Sequence, residues 1–426
     1  MKTALAAVLC ASVAWAQAPA DAGVDEVPAN AGPSLADELD VAAGVSPTST
    51  PVAPAPTANP VLRAFQSLNP DLSVVLDATG GLAGAPSYSL SGDDPELRGG
   101  PAEHPAGFTV QEAEIGIQAV VDPYFRGDLF LTIPNLQGLE VEEGYVTSTS
   151  LPADLQVKAG IFRSALGRQN GQHLHGQDFT RRPLLNEAYL GADGLRAPGL
   201  QVSWLVPTPF FLQLTGEAFS VGAPEDTAHL STFGGGRRVD LAYTAELKTF
   251  VPVTDTVSVY GGLDAATGVT PGVTDADGVL HRAGARTFLE GFDLYVKYKP
   301  LNVAGGFFSL AWTTELFVRQ VLGPEVLDDT LVDGGLYSQL VAQVSRRVFL
   351  GLRQDFLGLP SSALQARVQR TSFSATFAFS EFARLRAHVE RETTATDGLG
   401  FFSGPPVWGA YLQLEVSYGA HGAHPF

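Results

Sequence analysis

The stretch Trp408-Gly409-Ala410-Tyr411-Leu412-Gln413-Leu414-Glu415-Val416-Ser417-Tyr418 changes character at every residue. Trp408, Ala410, Leu412, Leu414, Val416 and Tyr418 form one row, and Gly409, Tyr411, Gln413, Glu415 and Ser417 form the other. A period of two belongs to a strand whose faces meet different media. The apolar row carries aromatic rings at both ends, where a lipid-facing strand crosses the two membrane interfaces. One face is therefore expected to meet lipid and the other water.

Working outward, about sixteen segments of roughly ten residues between Leu72 and Tyr418 repeat this pattern, as in an antiparallel transmembrane β-barrel. The expected strands are Leu72–Thr79, Phe108–Val121, Tyr124–Ile133, Leu139–Thr149, Leu155–Phe162, Leu200–Val206, Phe210–Phe219 and Val239–Phe250 in the first half. Thr256–Ala265, Phe288–Tyr298, Phe307–Arg319, Leu336–Ser345, Val348–Asp355, Val368–Ser380, Phe382–Arg391 and Trp408–Tyr418 complete the set. Even-numbered connections, such as Asp122-Pro123 and Arg346-Arg347, are short. Most odd-numbered ones, above all Arg163–Gly199, are long. Short turns at one rim and long loops at the other are the rhythm of an outer-membrane barrel with periplasmic turns and both termini in the periplasm. Pro134–Gly138, Phe356–Arg367 and the one-residue break at Glu381 fit this rhythm least well, and they leave fourteen or eighteen strands as alternatives.

Composition agrees. Hydrophobic residues are 45% of the 426 and mean hydropathy is only +0.10. A helical membrane bundle needs repeated apolar runs of about 20 residues, and none occurs. The 46 glycines and 29 prolines suit many strands punctuated by turns. A soluble β-sandwich also alternates, but such domains usually have seven to nine strands in about 100 residues.

Residues 1–16 read as a secretory signal, with Lys2, an apolar core from Ala4 to Val13, and the small-x-small site Ala14-Trp15-Ala16. Cys10, the one cysteine, lies inside it, so the mature chain is expected to carry no disulfide. Residues 17–70 are rich in Ala, Pro, Ser and Thr, with Pro51, Pro54, Pro56 and Pro60 close together, and read as a flexible periplasmic tail. The barrel is expected over 71–426.

Alternation assigns Glu112, Glu114, Gln118, Arg126, Asp128, Glu140, Glu142, Gln156, Lys158, Asp240, Glu246, Lys248, Arg353, Arg384, Arg386, His388 and Glu390 to the inner wall. A barrel of this size encloses more space than side chains fill, so a pore with a transverse field is expected. The formal charge of −19 does not set its selectivity, because much of the acid lies in the tail and loops. The third outer loop, Arg163–Gly199, is the expected constriction. Its arginines Arg163, Arg168, Arg181 and Arg182 accompany Asp178 and Glu187, with Arg126, Lys158, Glu112 and Glu114 lining the wall nearby. Arginines in a narrow passage bind anions through forked hydrogen bonds. Read blandly, the same loop is solvated and its charges face water.

His173-x-His175 with Asp178 offers two imidazoles and a carboxylate, a donor set that suits zinc or copper. His421 and His424 form a second pair at the far end of the chain. A hydrolase would need a base such as His388 near Ser374 or Ser417. No Gly-x-Ser-x-Gly turn, metalloprotease motif, phosphate loop or basic aromatic surface for nucleic acid occurs, so neither an enzyme nor a nucleic-acid partner is expected.

The run Lys158-Ala-Gly-Ile-Phe162-Arg163-Ser-Ala-Leu-Gly167, with Phe108–Val121 and Val141-Glu-Glu-Gly-Tyr145, resembles the phosphate-selective porin O/P-like family. Asn170-Gly-Gln-His173-Leu-His175-Gly-Gln-Asp178-Phe-Thr-Arg-Arg-Pro183 is similar to proteobacterial outer-membrane proteins labelled zinc-regulated TonB-dependent receptors. The chain is too short for the 22-stranded barrel and folded plug of such a receptor. The resemblance implies a porin-like channel for small hydrophilic solutes, anions or metal species among them, in the outer membrane of a Gram-negative bacterium. A metal-uptake receptor is the alternative, and a hydrolase the second. It also implies outer-membrane lipids and lipopolysaccharide as surroundings, and recognition of the last strand and Phe426 by the barrel-assembly machinery, with Tyr418 as a second recognition residue. Related general porins are often homotrimers.

Overall fold

The computed structural model describes residues 70–83, 107–136, 138–191, 193–221, 232–234, 239–274, 280–281, 284–301, 307–323, 330–360, 367–394 and 406–419, with single positions in the loops between. The expected signal, tail and Phe426, together with His421 and His424, lie outside the described residues.

The strands are β1 (Asp71–Ala83), β2 (Gly107–Val120), β3 (Phe125–Thr132), β4 (Glu140–Ser148), β5 (Leu155–Arg163), β6 (Arg196–Leu205), β7 (Phe211–Ser220), β8 (Leu241–Pro252) and β9 (Val257–Val269). After them come β10 (Val273–Thr274), β11 (Leu280–His281), β12 (Arg286–Tyr298), β13 (Ser309–Val321), β14 (Leu331–Ser345), β15 (Val348–Leu357), β16 (Val368–Ser380), β17 (Ala383–Thr394) and β18 (Val407–Gly419). β10 and β11 form a small ladder of their own, and the other sixteen close an antiparallel barrel in which β1 pairs with both β2 and β18. Closure leaves no open edge, which a sheet in hydrocarbon requires. No described helix is long and apolar enough to cross a membrane.

The sixteen expected segments all become barrel strands, so the count is neither fourteen nor eighteen. Several strands are longer at the long-loop rim than expected: β14 starts at Leu331 instead of Leu336, and β6 at Arg196 instead of Leu200, where Arg163 and Arg196 pair. Arg163 therefore ends a strand and does not begin the loop. Both barrel termini, at Ser73 and Gly419, lie side by side at the rim that carries the short turns.

β18 keeps the alternation of its sequence. Trp408, Ala410, Leu412, Leu414 and Tyr418 are exposed, while Gly409, Tyr411, Gln413, Glu415 and Ser417 are buried. Exposed rings of Tyr124, Phe125, Phe210, Phe211, Tyr298, Phe308, Phe379, Phe382 and Tyr418 mark the short-turn rim, the place of an interfacial aromatic girdle.

Two bulges break the parity. β2 slips against β1 between Asp77 and Ala78, which leaves Gln111 as the extra residue. β4 slips against β3 between Phe130 and Leu131, so Phe130 faces Glu143, Leu131 faces Val141, and Glu142 is inserted. A bulge re-aims a side chain, and here Glu142 and Glu143 are both buried inside. Strict alternation had placed Glu143 outside.

The lumen is not uniformly wet. Near the long-loop rim, inward Phe219, Ala242, Ala266, Leu289, Phe317, Tyr337, Leu357 and Val368 form an apolar core with Leu184, Leu185, Ala188, Tyr189 and Leu190 of α1 (Leu184–Leu190). This corrects the expectation of an entirely water-facing interior. The helix is buried all round, its polar residues Asn186 and Glu187 included.

Leu412→Arg, at mid-strand on the lipid face, is expected to destabilise the barrel by about 2–4 kcal/mol, whereas Tyr418→Arg at the rim should lose about 0–1 from charge placement. Denaturant unfolding in lipid vesicles measures both, and equal costs would contradict the lipid assignment of this face.

Candidate functional site

Between β5 and β6 the chain turns into the barrel. From Ser164 to Leu195, only Gly171 and Asp178 among the described residues are exposed. Irregular backbone in an interior must find partners for every N–H and C=O, and the inner wall supplies them.

Wall carboxylates accept from the first limb. Glu217 of β7 takes the Ala165 N–H at 3.0 Å, Asp264 of β9 the Gly167 N–H at 3.1 Å, and Glu315 of β13 those of Arg168 and Gln169 at 3.1 and 2.8 Å. Gly167 has φ of +69°, and a Cβ there would meet the Glu315 carboxylate and the Phe317 ring at 3.0 Å, so the turn requires glycine. Farther on, Asp355 of β15 takes the Leu184 N–H at 2.9 Å, at the start of α1.

Wall arginines donate to the returning limb. Arg353 of β15 reaches the carbonyls of Arg181 and Arg182 at 3.0 and 3.2 Å, Arg386 of β17 that of Gln177 at 2.6 Å, and Arg384 that of His175. β7 and β17 stand eight places apart in the ring of sixteen, so the loop is tied to opposite walls.

The loop arginines play different parts. Arg181 pairs with Glu390 at 2.7 Å and with Glu187 at 3.4 Å. Burial pushes the Glu187 carboxyl above its ordinary value despite Arg181 and Arg370 beside it. Arg182 bonds the carbonyls of Gln169 and Gln172, and burial, helped by Arg163, pushes it down to about 10. Arg163 binds Glu142 and Asp193, the latter at 2.9 Å, and so clamps the base of the loop. These three guanidiniums are buried and bonded to groups of the protein itself. Arg168 differs, since it is half-buried with its guanidinium 3.8 Å from the Tyr295 ring centroid.

Toward the short-turn rim, Arg126 pairs with Asp128 at 3.0 Å and keeps 48% of its side chain exposed. Lys158 lies over the rings of Tyr145 and Phe162 at 4.6 and 5.2 Å. Gly160 between them has φ of +141°, and a Cβ there would strike the Gly144 carbonyl at 2.2 Å. The Lys-x-Gly-x-Phe run thus packs β5 against β4 and seats the root of the loop.

His173 and His175 come together, with ring centroids 5.6 Å apart. Asp178 does not join them, because the chain carries it on to Gln339 of β14, which donates to it at 3.1 Å. Their neighbours are glutamates of the wall. His173 Nδ1 lies 2.7 Å from Glu114 Oε2 and 3.5 Å from Glu142 Oε2, and its Nε2 lies 3.1 Å from Glu143 Oε1. His175 Nδ1 lies 3.5 Å from Glu114 Oε2. Burial opposes charge on His173, but Glu142 and Glu114 outweigh it and hold the imidazole well above its ordinary value. Glu112 and Glu142 lie close to Glu114 as well.

Sequence reasoning passed over Glu217, Asp264, Glu315, Asp355 and Arg370. Their inward parity was the available signal; which of them would meet the loop was not. His388 is opposite Ser374 in the β16–β17 register, fully buried and bonded to Thr180 of the loop. Ser417 lies six residues along β18 from Tyr411, the residue that faces His388.

No protein-family model matches the chain. Among solved structures, its fold is similar to the trimer form of OmpT, an outer-membrane protein of Vibrio cholerae, at 10% identity and TM-score 0.52 over 82% of this chain and 99% of that one. OprB of Pseudomonas putida matches at 11% and 0.51 over 84% and 96%. An anion-selective porin from Comamonas acidovorans matches at 10% and 0.50 over 82% and 99%. In sequence, an uncharacterized protein of Aquifex aeolicus (strain VF5) is 31% identical over 357 residues, 75% of this chain and 70% of its own length. The chain therefore belongs to the same family as that Aquifex protein, and its fold is that of a porin-like outer-membrane barrel.

Proposed function

We propose that the protein is an outer-membrane channel for passive diffusion of small hydrophilic solutes, with a preference for anions. The observation that carries this reading is the distribution of water-accessible charge inside the barrel. Wall carboxylates Glu217, Asp264, Asp293 and Glu315 are at most 6% exposed. Three of them are bonded to loop amides. Cations remain open to the lumen: the side chains of Arg126, Lys248 and Arg384 keep 48%, 28% and 23% exposure, and Arg168, Lys158 and Lys297 are half-buried. Asp178 is the exposed acid of the inserted loop. A passing ion responds to the charge it can approach, and screening and desolvation remove the rest.

In this reading the short turns are periplasmic, as are both barrel termini, and the long loops meet lipopolysaccharide outside. The assembly machinery would read β18 at the chain's end. A homotrimer is the assembly we propose, on the likeness to the Vibrio protein described as a trimer.

In planar bilayers under a salt gradient, the mature chain is expected to conduct with a reversal potential on the anion side. Absence of conduction removes the channel reading, and a cation-side potential removes the preference. A unit charge within ~4 Å of an ion in water contributes about 1 kcal/mol, roughly fivefold in occupancy. Asp178→Asn should therefore raise anion preference by up to about that factor and Arg168→Ala should lower it, both read from reversal potentials.

Glu315→Ala removes the acceptor of the Arg168 and Gln169 amides and of the Tyr337 hydroxyl. Each bond to a charged group contributes about 1.5–3 kcal/mol, so exchange protection of those two amides should fall at least tenfold while the strands stay protected. Noisier single-channel current is the expected companion, and unchanged protection would contradict the latch.

A further inference from the structure

We propose that His173, His175, Glu114 and Glu142 form a binding site for a divalent transition-metal ion of the zinc class, tying the inserted loop to β2 and β4. This site stands independently of the channel reading.

The geometry supplies the argument. Zinc takes nitrogen and carboxylate oxygen ligands at about 2.0–2.2 Å in a tetrahedron, whose ligand-to-ligand edges are then about 3.4 Å. One ligand atom each of His173, His175 and Glu114 lies within 4.8 Å of the other two. Two of these edges are 2.7 and 3.5 Å, and Glu142 Oε2 adds a third of 3.5 Å to His173. The two 3.5 Å edges match the tetrahedral value to about 0.1 Å, and an ion between His173 and Glu114 would open the 2.7 Å edge by about 0.7 Å.

A second observation points to a ligand. Glu142 is 4% exposed, yet its Oε2 accepts no hydrogen bond, and neither does the buried Oε2 of neighbouring Glu112. A buried carboxylate oxygen that accepts no hydrogen bond is costly, and the imidazole of His173, 3.5 Å away, is beyond that range. Glu142 offers this atom because the β4 bulge turns it inward and Arg163 takes its other oxygen. Arg196 donates to the Val141 and Glu142 carbonyls at 2.8 and 2.7 Å, which holds the bulge in shape. Once the entering ion displaces the proton of His173, two imidazoles and two carboxylates around a dication make an electrically neutral set. Magnesium, which keeps several waters and prefers an all-oxygen octahedron, fits it poorly.

The metal would bridge three chain segments: β2 through Glu114, β4 through Glu142, and the loop through both histidines. Its removal frees one end of the loop while the arginine and carboxylate ties to other strands persist. Metal binding thereby reports on, and stiffens, the constriction.

The test uses the purified full-length mature barrel, stripped with chelator and titrated with ZnCl2 or MgCl2 by calorimetry, with CoCl2 as the spectroscopic probe. One zinc per chain is expected, with d–d absorption of tetrahedral intensity for cobalt and no heat with magnesium. The double variant His173→Ala/His175→Ala and the single variant Glu114→Gln should each weaken zinc at least tenfold. His421→Ala/His424→Ala should bind as wild type. Heat-modifiable migration in SDS gels confirms that each variant is a folded barrel, and Glu142→Gln gives a second, isosteric probe of the same site. No zinc bound by the wild type, wild-type affinity in the His173/His175 variant, or loss in the His421/His424 variant each overturns the proposal. Zinc binding by a barrel that does not conduct would refute the channel and leave the site standing.

Discussion

The structure depends on one constraint: the backbone of an irregular loop, enclosed in a barrel, has to be hydrogen-bonded by something other than a neighbouring strand. Carboxylates on β7, β9 and β13 accept from amides between Ala165 and Gln169, and arginines on β15 and β17 donate to carbonyls between His175 and Arg182. Charge-assisted bonds of this kind are among the stronger ones. They also account for the many buried charges of the wall, which would be costly if left unpaired.

The same ties set what the lumen can do. Acids that hold the loop are withdrawn from water, whereas Arg126, Lys248 and Arg384 keep part of their surface in it. On that distribution rests the preference for anions proposed for a chain of formal charge −19. The apolar side of the loop is answered by α1, which fills the long-loop half against inward Phe219, Phe317 and Leu357. Polar latch and apolar plug act on the same segment, so the loop has one resting position.

Much of this was legible in the chain. All sixteen barrel strands follow from two-residue alternation, because lipid on one side and water on the other select opposite side chains at each step. The length of Arg163–Gly199 and its place after the fifth strand marked it as the segment to enter the barrel. The grouping of His173 with His175 came from spacing alone. Asp178, one residue type that suited the same metal, does not join them, since beyond the turn Leu174–Gly176 the chain carries it to Gln339 of β14. Glu143 was misplaced as well, since a bulge shifts parity by one and leaves no mark in a single sequence. The structural parts of Arg163, Arg181 and Arg182 were equally hidden, for an arginine in a loop reads the same whether it meets a solute or a glutamate on a distant strand.

By itself, the sequence determined the strand segments, the face of most of their residues and the rim to which the long loops belong, all of which depend on neighbours close along the chain. Only the tertiary structure decided that Glu315 meets Gln169, that Glu114 and Glu142 meet the two histidines, and that the arginines bind carbonyls. Those pairings join residues up to about two hundred positions apart, and their partners are chosen by closure of the barrel around the loop, which no local pattern encodes.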